Sequence, residues 1–433
     1  MEQRNFKQLI EAHKAEFYQD LATLIEIPSV KGPVADGAPY GVENKRVLEQ
    51  IMKLAHSYGF SGEIVDDAVA YIQVGKASDY IGIAGHLDVV AAGGAWTYPP
   101  FELTIANGKL YGRGILDNKG PIFSCLFGLK LLMEQGYQLK QTLRILFGSD
   151  EESGSADIAR YLAQEAAPHF AFTPDCKYPV VYGERGIINV VYETALSSEA
   201  LALISEISGE QDRSFVPDVL SCQLDGRIYA VSGKRAPSNA PELGNNAITL
   251  LAKELVKATT NMELKNYFQW LDESFHDQHF GQGLDMDWSD EISGILNVTP
   301  YLLEKTQTGF KLGLSLRYPV SFTEEMVLEG LQKAAYSNST LTLVRSLPSL
   351  LTDKNRSEVA QLSKAYADVT ALDSTPVTTT GATYARALPN TVAFGPSFPG
   401  QKGIAHNADE YMDESDLLLN MEIYMNAILN LCE

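Results

Sequence analysis

Three short stretches of this chain are almost wholly apolar, and each stops at an acid or a histidine. Tyr80-Ile81-Gly82-Ile83-Ala84-Gly85 runs into His86, Thr142-Leu143-Arg144-Ile145-Leu146-Phe147 stops just before Asp150, and Phe170-Ala171-Phe172 leads to Asp175. Apolar runs of this length without polar alternation fit strands buried on both faces. Helical patterns over 121–135 and 156–165 separate them. Strands alternating with helices predict an α/β sheet with helices on both faces. In such sheets the ends of the strands are where sites are built, so the polar residues after each run are the first place to look for chemistry.

The flanking pattern is consistent with this. Residues 4–26 carry Phe6, Leu9, Ile10, Phe17, Leu21 and Leu24 near helical spacing, and Pro28 ends the helix. Residues 43–58 read as a second helix, and Ile64-Val65 and Ala70–Val74 as strands. After about residue 187 the texture changes. Residues 187–195, 226–232, 296–299 and 310–318 read as strands, and 198–208, 244–258 and 322–336 as helices. Between 190 and 340 no cluster of acids and histidines resembles those of the first part. The economical division is a domain made of 1–186 and 342–433, interrupted by an inserted α+β domain, 187–341, containing two similar strand-helix-strand halves.

A chain of 433 residues is long for one domain, and 45% hydrophobic residues suffice for a substantial core. A formal net charge of -21 argues against nucleic acid or an anionic membrane as partner. Cys125, Cys176, Cys222 and Cys432 are widely spaced, which suggests neither a zinc ribbon nor a disulfide framework. The first twenty residues lack an apolar signal core, and no apolar run approaches the roughly 18 residues of a membrane span. The expectation is a cytoplasmic protein.

Five segments then stand out: His86-Leu87-Asp88, Asp117 in Gly112–Gly120, Asp150-Glu151-Glu152, Asp175, and His406 in Ala405–Glu410. Their donor types suit zinc or manganese. Each has an ordinary reading by itself. Asp117 fits an N-cap on the helix that follows. Glu151-Glu152 fits a solvated acidic turn, Asp175 a turn acid, and His406 a surface or core histidine. His86 and Asp88, two apart on an extended backbone, point the same way, so the carboxylate can orient the imidazole. Adjacent carboxylates at 151 and 152 repel unless something positive lies near, and one can bind a cation while the other moves protons. Order, spacing and strand-end placement together make a two-metal hydrolase the favoured reading. His276 and His279 lie three apart, but no set of carboxylate partners accompanies them.

With these motifs the chain resembles the dinuclear-zinc metallopeptidase family that includes aminoacylase-1, succinyl-diaminopimelate desuccinylase, acetylornithine deacetylase and carnosinase. Gly93-Gly94-Ala95-Trp96, His276–Gly281, Leu316-Arg317-Tyr318-Pro319 and Gly381–Asn390 are similar to the bacterial PepV-like dipeptidases within it. The resemblance implies a zinc-peptidase-like catalytic sheet flanked by helices, with the insert acting as a lid. It implies two divalent ions, zinc or alternatively manganese or cobalt, bridged by Asp117. His86 and Asp175 would complete one site, Glu152 and His406 the other. Asp88 would buttress His86, and Glu151 would be the general base for hydrolysis of a dipeptide or small amide. Arg317 would clamp a substrate carboxylate, and Thr383 would contribute to substrate binding. The family often has a cis peptide after the bridging aspartate, here Asp117-Asn118. A monomer is expected, because a two-halved insert would supply from one chain what related dimers supply across an interface.

One departure matters. Relatives carry a histidine in a Gly-Lys-x-Ala-His stretch of the insert. This chain reads Gly233-Lys234-Arg235-Ala236-Pro237, and a nearby asparagine is replaced by Ser214. Proline has no side-chain donor. Four readings follow: a hydrolase active on an altered substrate using Arg317, Arg235 or Ser214 as the oxyanion donor, a weak peptidase, a metal-binding homologue that no longer turns over dipeptides, or another amidohydrolase specificity such as deacylation of an N-acyl amino acid.

Overall fold

The computed structural model describes residues 5–401 and 404–433. The chain divides into two compact units: residues 1–182, 352–377 and 381–433 form the first, and 183–351 with 378–380 the second.

The first unit is built on a mixed sheet. Its strands run in the order Ser61–Val65, Val69–Val74, Thr142–Gly148, Tyr80–His86, Phe170–Thr173, Thr391–Phe394 and Val180–Glu184. Tyr80–His86 is parallel to both of its neighbours. The pleat explains why these strands are apolar throughout. Ile81, Ile83, Leu143, Ile145, Phe147, Phe170 and Phe172 enter one core, while Tyr80, Ala84, Leu146 and Ala171 enter another on the opposite face. The larger core is closed by the helices Lys7–Ile25, Val42–Ser57, Lys119–Glu134, Ser357–Thr370 and Glu414–Cys432, which contribute Phe17, Val47, Phe123, Leu362 and Met421 among others. The smaller face is covered by Ile158 and Tyr161 of the helix Ala156–Leu162, and by Tyr384 and Leu388. Since the three central strands are parallel, His86, the turn after Gly148 and the turn after Thr173 all emerge at one edge.

The second unit holds one four-stranded antiparallel sheet, ordered Asn297–Lys305, Gly309–Tyr318, Gly186–Ala195 and Ser339–Leu347. Its core joins Ile188, Val190, Leu314 and Leu316 to Leu251, Phe268 and Val327 from three helices. The chain makes two strand-helix-strand passages within this one sheet: Gly186–Ala195 leads through the helices Ala247–Ala258 and Met262–Phe275 to Asn297–Lys305, and Gly309–Tyr318 leads through Glu324–Ala334 to Ser339–Leu347. The second unit also runs past residue 341 to Leu351, because Ser339–Leu347 pairs with Gly186–Ala195 as an edge strand of this sheet. The expected helix 198–208 is only Ser198–Leu203. The helix Met262–Phe275 was not anticipated, although Asn261 caps it by accepting the Leu264 N–H at 3.0 Å and Leu264, Phe268 and Leu271 form a buried stripe. His276 lies just past that helix, where Nδ1 meets Thr249 Oγ1 at 3.1 Å and Nε2 meets Lys253 Nζ at 3.2 Å. Its Nε2 also lies 3.6 Å from Asp277 Oδ2.

Among the described residues no helix is long and apolar enough to cross a membrane.

Candidate metal centre

All seven acids and histidines singled out for chemistry lie in the first unit. His86 is fully buried at the end of its strand. Gly85 makes the approach of the next loop possible: a Cβ there would stand 2.4 Å from Asn118 Oδ1 and 2.8 Å from Ile122 Cβ. The Asn118 carboxamide instead accepts the His86 N–H at 3.3 Å and donates to Pro174 O at 2.5 Å. One side chain thus ties together the backbones that carry His86, Asp117 and Asp175. The Asp117-Asn118 peptide is cis.

Asp117 faces both histidines. Its Oδ1 lies 3.1 Å from His86 Nε2, and its Oδ2 lies 3.0 Å from His406 Nε2. Asp175 Oδ2 is 3.5 Å from His86 Nε2, and Glu152 Oε2 is 3.0 Å from His406 Nε2. Donor atoms of His86, Asp117 and Glu152 lie within 4.8 Å of one another, as do those of His86, Glu151 and Asp175. His406 is about half exposed and holds φ at +67°, a conformation costing a non-glycine residue roughly 1–2 kcal/mol.

Asp88 does more than face His86. His86 Nδ1 lies 3.0 Å from the Asp88 backbone carbonyl and 3.4 Å from the carboxylate. The carboxylate accepts the N–H groups of Glu151 and Glu152 at 3.2 and 3.1 Å. It therefore fixes the turn that presents both glutamates. Asp157 holds the preceding residues, accepting from Ser149 N at 2.7 Å, Asp150 N at 3.1 Å and the Tyr384 hydroxyl. Gly148 is required here, since a Cβ would stand 1.8 Å from Tyr384 Oη. Sequence reading missed Asp157 and Tyr384. The only local sign was an acid soon after the Glu-Glu pair, which is not distinctive.

The electrostatics ask for positive charge. Burial pushes Glu151 well above the usual carboxylate range, and the charge of Asp175 adds to this. Burial, then Asp117, takes Asp175 up to about 7. Burial would lower His86, but hydrogen bonds to Asp117 and Asp175 outweigh it and raise the imidazole well above its ordinary value. Hydrogen bonds to Asp117 and Glu152 take His406 up to about 11. The same contacts hold Asp117 down despite its burial. Glu152 Oε1 is buried without a hydrogen-bond partner. Four carboxylates converging on two imidazoles, with an unsatisfied buried oxygen among them, fit divalent cations bound by nitrogen and oxygen.

The candidates for substrate contact are dispersed. Thr383, in the first unit, accepts the Ala385 N–H at 3.1 Å and so caps the turn bearing Tyr384. Arg317, Ser214 and Arg235 belong to the second unit. Arg317 Nη1 is 3.4 Å from Ser315 Oγ and 3.3 Å from Leu316 O. Arg235 donates to Glu210 at 2.8 Å and Asp218 at 3.0 Å and stacks on Phe215. The Ser214 hydroxyl donates to Asp212 at 2.6 Å.

The sequence pattern of Peptidase family M20/M25/M40 matches residues 82–430. "Putative dipeptidase YtjP" of Bacillus subtilis (strain 168) is 28% identical, over 97% of this chain and 98% of that protein. "Putative dipeptidase SH1171" of Staphylococcus haemolyticus (strain JCSC1435) is 28% identical over 99% of each. Among solved structures, human carnosine dipeptidase 1 has a TM-score of 0.61 at 15% identity, covering 98% of this chain and 97% of that one. The di-peptidase Dug1p of Saccharomyces cerevisiae has a TM-score of 0.63 at 16% identity, with the same coverage. These two likenesses concern the fold. The family match runs from the strand that bears His86 to the final helix and takes in every proposed ligand, and the chain belongs to Peptidase family M20/M25/M40.

Proposed function

We propose that the chain is a metal-dependent dipeptidase whose two ions share Asp117. The observation that carries this is the division of the Asp117 carboxylate between His86 and His406, with Asp175 beside the first histidine and Glu152 beside the second. His86, Asp117 and Asp175 would hold one ion, and Asp117, Glu152 and His406 the other. The nitrogen and oxygen donors suit zinc, with manganese or cobalt as alternatives. When bound, the ions supply Lewis acidity and lower the pKa of water toward neutrality.

Glu151 is the general base. Its carboxylate takes a proton from the attacking water and returns it to the leaving amine nitrogen. Glu152 pairs with His406, whereas Glu151 makes no ion pair to a histidine among the described residues, which favours this division of the two neighbours. Since the donor atoms of Glu151 also group with His86 and Asp175, the division has to be tested. Asp88 keeps both glutamates in place through their N–H groups. Arg317 binds the substrate carboxylate as a planar, charge-assisted donor.

A slow enzyme is the second reading, and a specific observation favours it. Pro237 offers no donor, Arg235 is engaged by Glu210 and Asp218, and the Ser214 hydroxyl by Asp212. Loss of one oxyanion donor costs on the order of 100- to 1,000-fold. Deacylation of N-acyl amino acids by the same site is the alternative specificity. We take the protein to be cytoplasmic, with no two of its four cysteines joined. We take it to be a monomer because the donor set is complete within one chain.

The test is a panel of dipeptides and N-acyl amino acids assayed with added zinc, manganese or cobalt. Dipeptides should be cleaved and N-acyl amino acids spared. Deacylation without dipeptide cleavage would replace this reading with the alternative.

A further inference from the structure

Glu410 is fully buried, yet it is not one of the proposed ligands. A buried carboxylate is costly unless its charge is paired and its lone pairs are used. Here both conditions are met. Oε2 accepts from Arg113 Nη1 at 2.7 Å. Oε1 accepts three backbone N–H groups, those of Gly114 at 3.1 Å, Leu116 at 2.9 Å and Asp117 at 3.2 Å. The Glu410 carbonyl accepts a fourth, from Gly112 at 3.1 Å.

An ordinary buried ion pair would hold Arg113 alone. This carboxylate instead grips the backbone of the ligand loop up to the bridging residue itself. The orientation of the Asp117 side chain follows from where its own N–H is held. Glu410 also belongs to the segment that presents His406. On that segment Asp409 is fixed in turn, accepting from Thr97 N at 2.7 Å and Thr97 Oγ1 at 2.8 Å. One side chain therefore joins the loop of Asp117 to the segment of His406, whose side chains meet at 3.0 Å.

We propose that Glu410, braced by Arg113, is a positioning residue that sets the separation of Asp117 and His406 and so the affinity of the ion those two residues share with Glu152. This rests on the proposed two-ion site. Groups that orient ligands typically cost 10- to 100-fold in metal affinity when removed.

The experiment is titration of the metal-free full chain with Mn²⁺ and with Zn²⁺ by calorimetry, with far-UV circular dichroism at the same temperature. For E410A the ion bound through His86 and Asp175 should keep its affinity. The second ion should weaken by about 10- to 100-fold while the protein stays folded. E410D keeps the charge opposite Arg113 but is one methylene too short to reach the Leu116 and Asp117 N–H groups. It should show the same selective loss, and it carries the test if E410A does not fold. E410Q retains an acceptor oxygen for those N–H groups and should recover most of the second ion's affinity. Unchanged affinity for both ions in folded E410A or E410D, with only a lower melting temperature, would make Glu410 a structural residue and overturn the proposal. A wild-type chain that binds one ion only would instead refute the two-ion site on which it rests.

Discussion

Asp117 and His406 meet at 3.0 Å, oxygen to nitrogen, across most of the length of the chain. The contact is direct because Asp117 turns its other oxygen to His86, leaving Oδ2 for the second histidine. A carboxylate placed this way can be shared by two cations, and the first expectation follows from it.

Full loading should give two divalent ions per chain. Asp117→Ala should retain at most one tightly bound ion, because it removes the shared ligand. Metal analysis after dialysis, with titration of the metal-free chain, measures this. A variant that still binds two ions as tightly as wild type would show that Asp117 does not bridge.

Glu151→Gln and Glu152→Gln should separate two kinds of failure. The first should keep both ions and lose about 100- to 10,000-fold in kcat, because an amide cannot carry the proton. The second should mainly weaken one ion, with partial recovery at high metal concentration. If Glu151→Gln loses metal and Glu152→Gln does not, the roles of the neighbours are reversed.

Arg317→Ala should weaken a charged, directional contact to the substrate. A hydrogen bond to a charged group is worth about 1.5–3 kcal/mol, so kcat/KM for dipeptides should fall roughly 10- to 100-fold. Substrates whose C-terminal carboxylate is amidated should lose nothing further in the variant. An equal fractional loss for both substrate forms would show that Arg317 does not bind the substrate carboxylate.

Pro237→His places a donor at the position where the resemblance implies a histidine. If the loop reaches the substrate, kcat should rise by up to about 100- to 1,000-fold, the usual worth of one oxyanion donor. If Arg235 or Ser214 has taken over, the substitution should be neutral or harmful, and Arg235→Ala or Ser214→Ala should abolish activity. Assaying the three variants on one substrate panel decides between these outcomes.

Stability should also depend on a residue far from the chemistry in sequence. Hydrogen bonding to Arg356 holds Glu358 at about 2, against an ordinary value of 4.5. A folded value below the unfolded one stabilises above about pH 4.5, and that contribution disappears as pH falls through about 2. With the pair partly exposed, its contribution should be on the order of 1–2 kcal/mol. Urea unfolding of wild type and Glu358→Gln should therefore differ at pH 6 and converge at acid pH. A difference that does not change with pH would mean the pair contributes packing and not charge.

What the sequence by itself determined was local and periodic. Apolar runs without alternation marked the strands of the catalytic sheet, since a strand buried on both faces has no polar side. Acids and histidines placed after those runs marked the cluster, because parallel strands end together. Nothing local gave a role to Glu410, Asp157 or Tyr384, although Glu410 and Tyr384 lie in segments that stand out. Each is an ordinary residue type whose importance comes from backbone N–H groups or ring contacts supplied by distant segments. The edge strand Ser339–Leu347 went unrecognised for a similar reason. It takes its place by pairing with Gly186–Ala195, and backbone pairing leaves little imprint on side-chain pattern. Tertiary structure alone decided which carboxylates face a histidine and which hold a turn in place, because that depends on directions and separations that no spacing along the chain encodes.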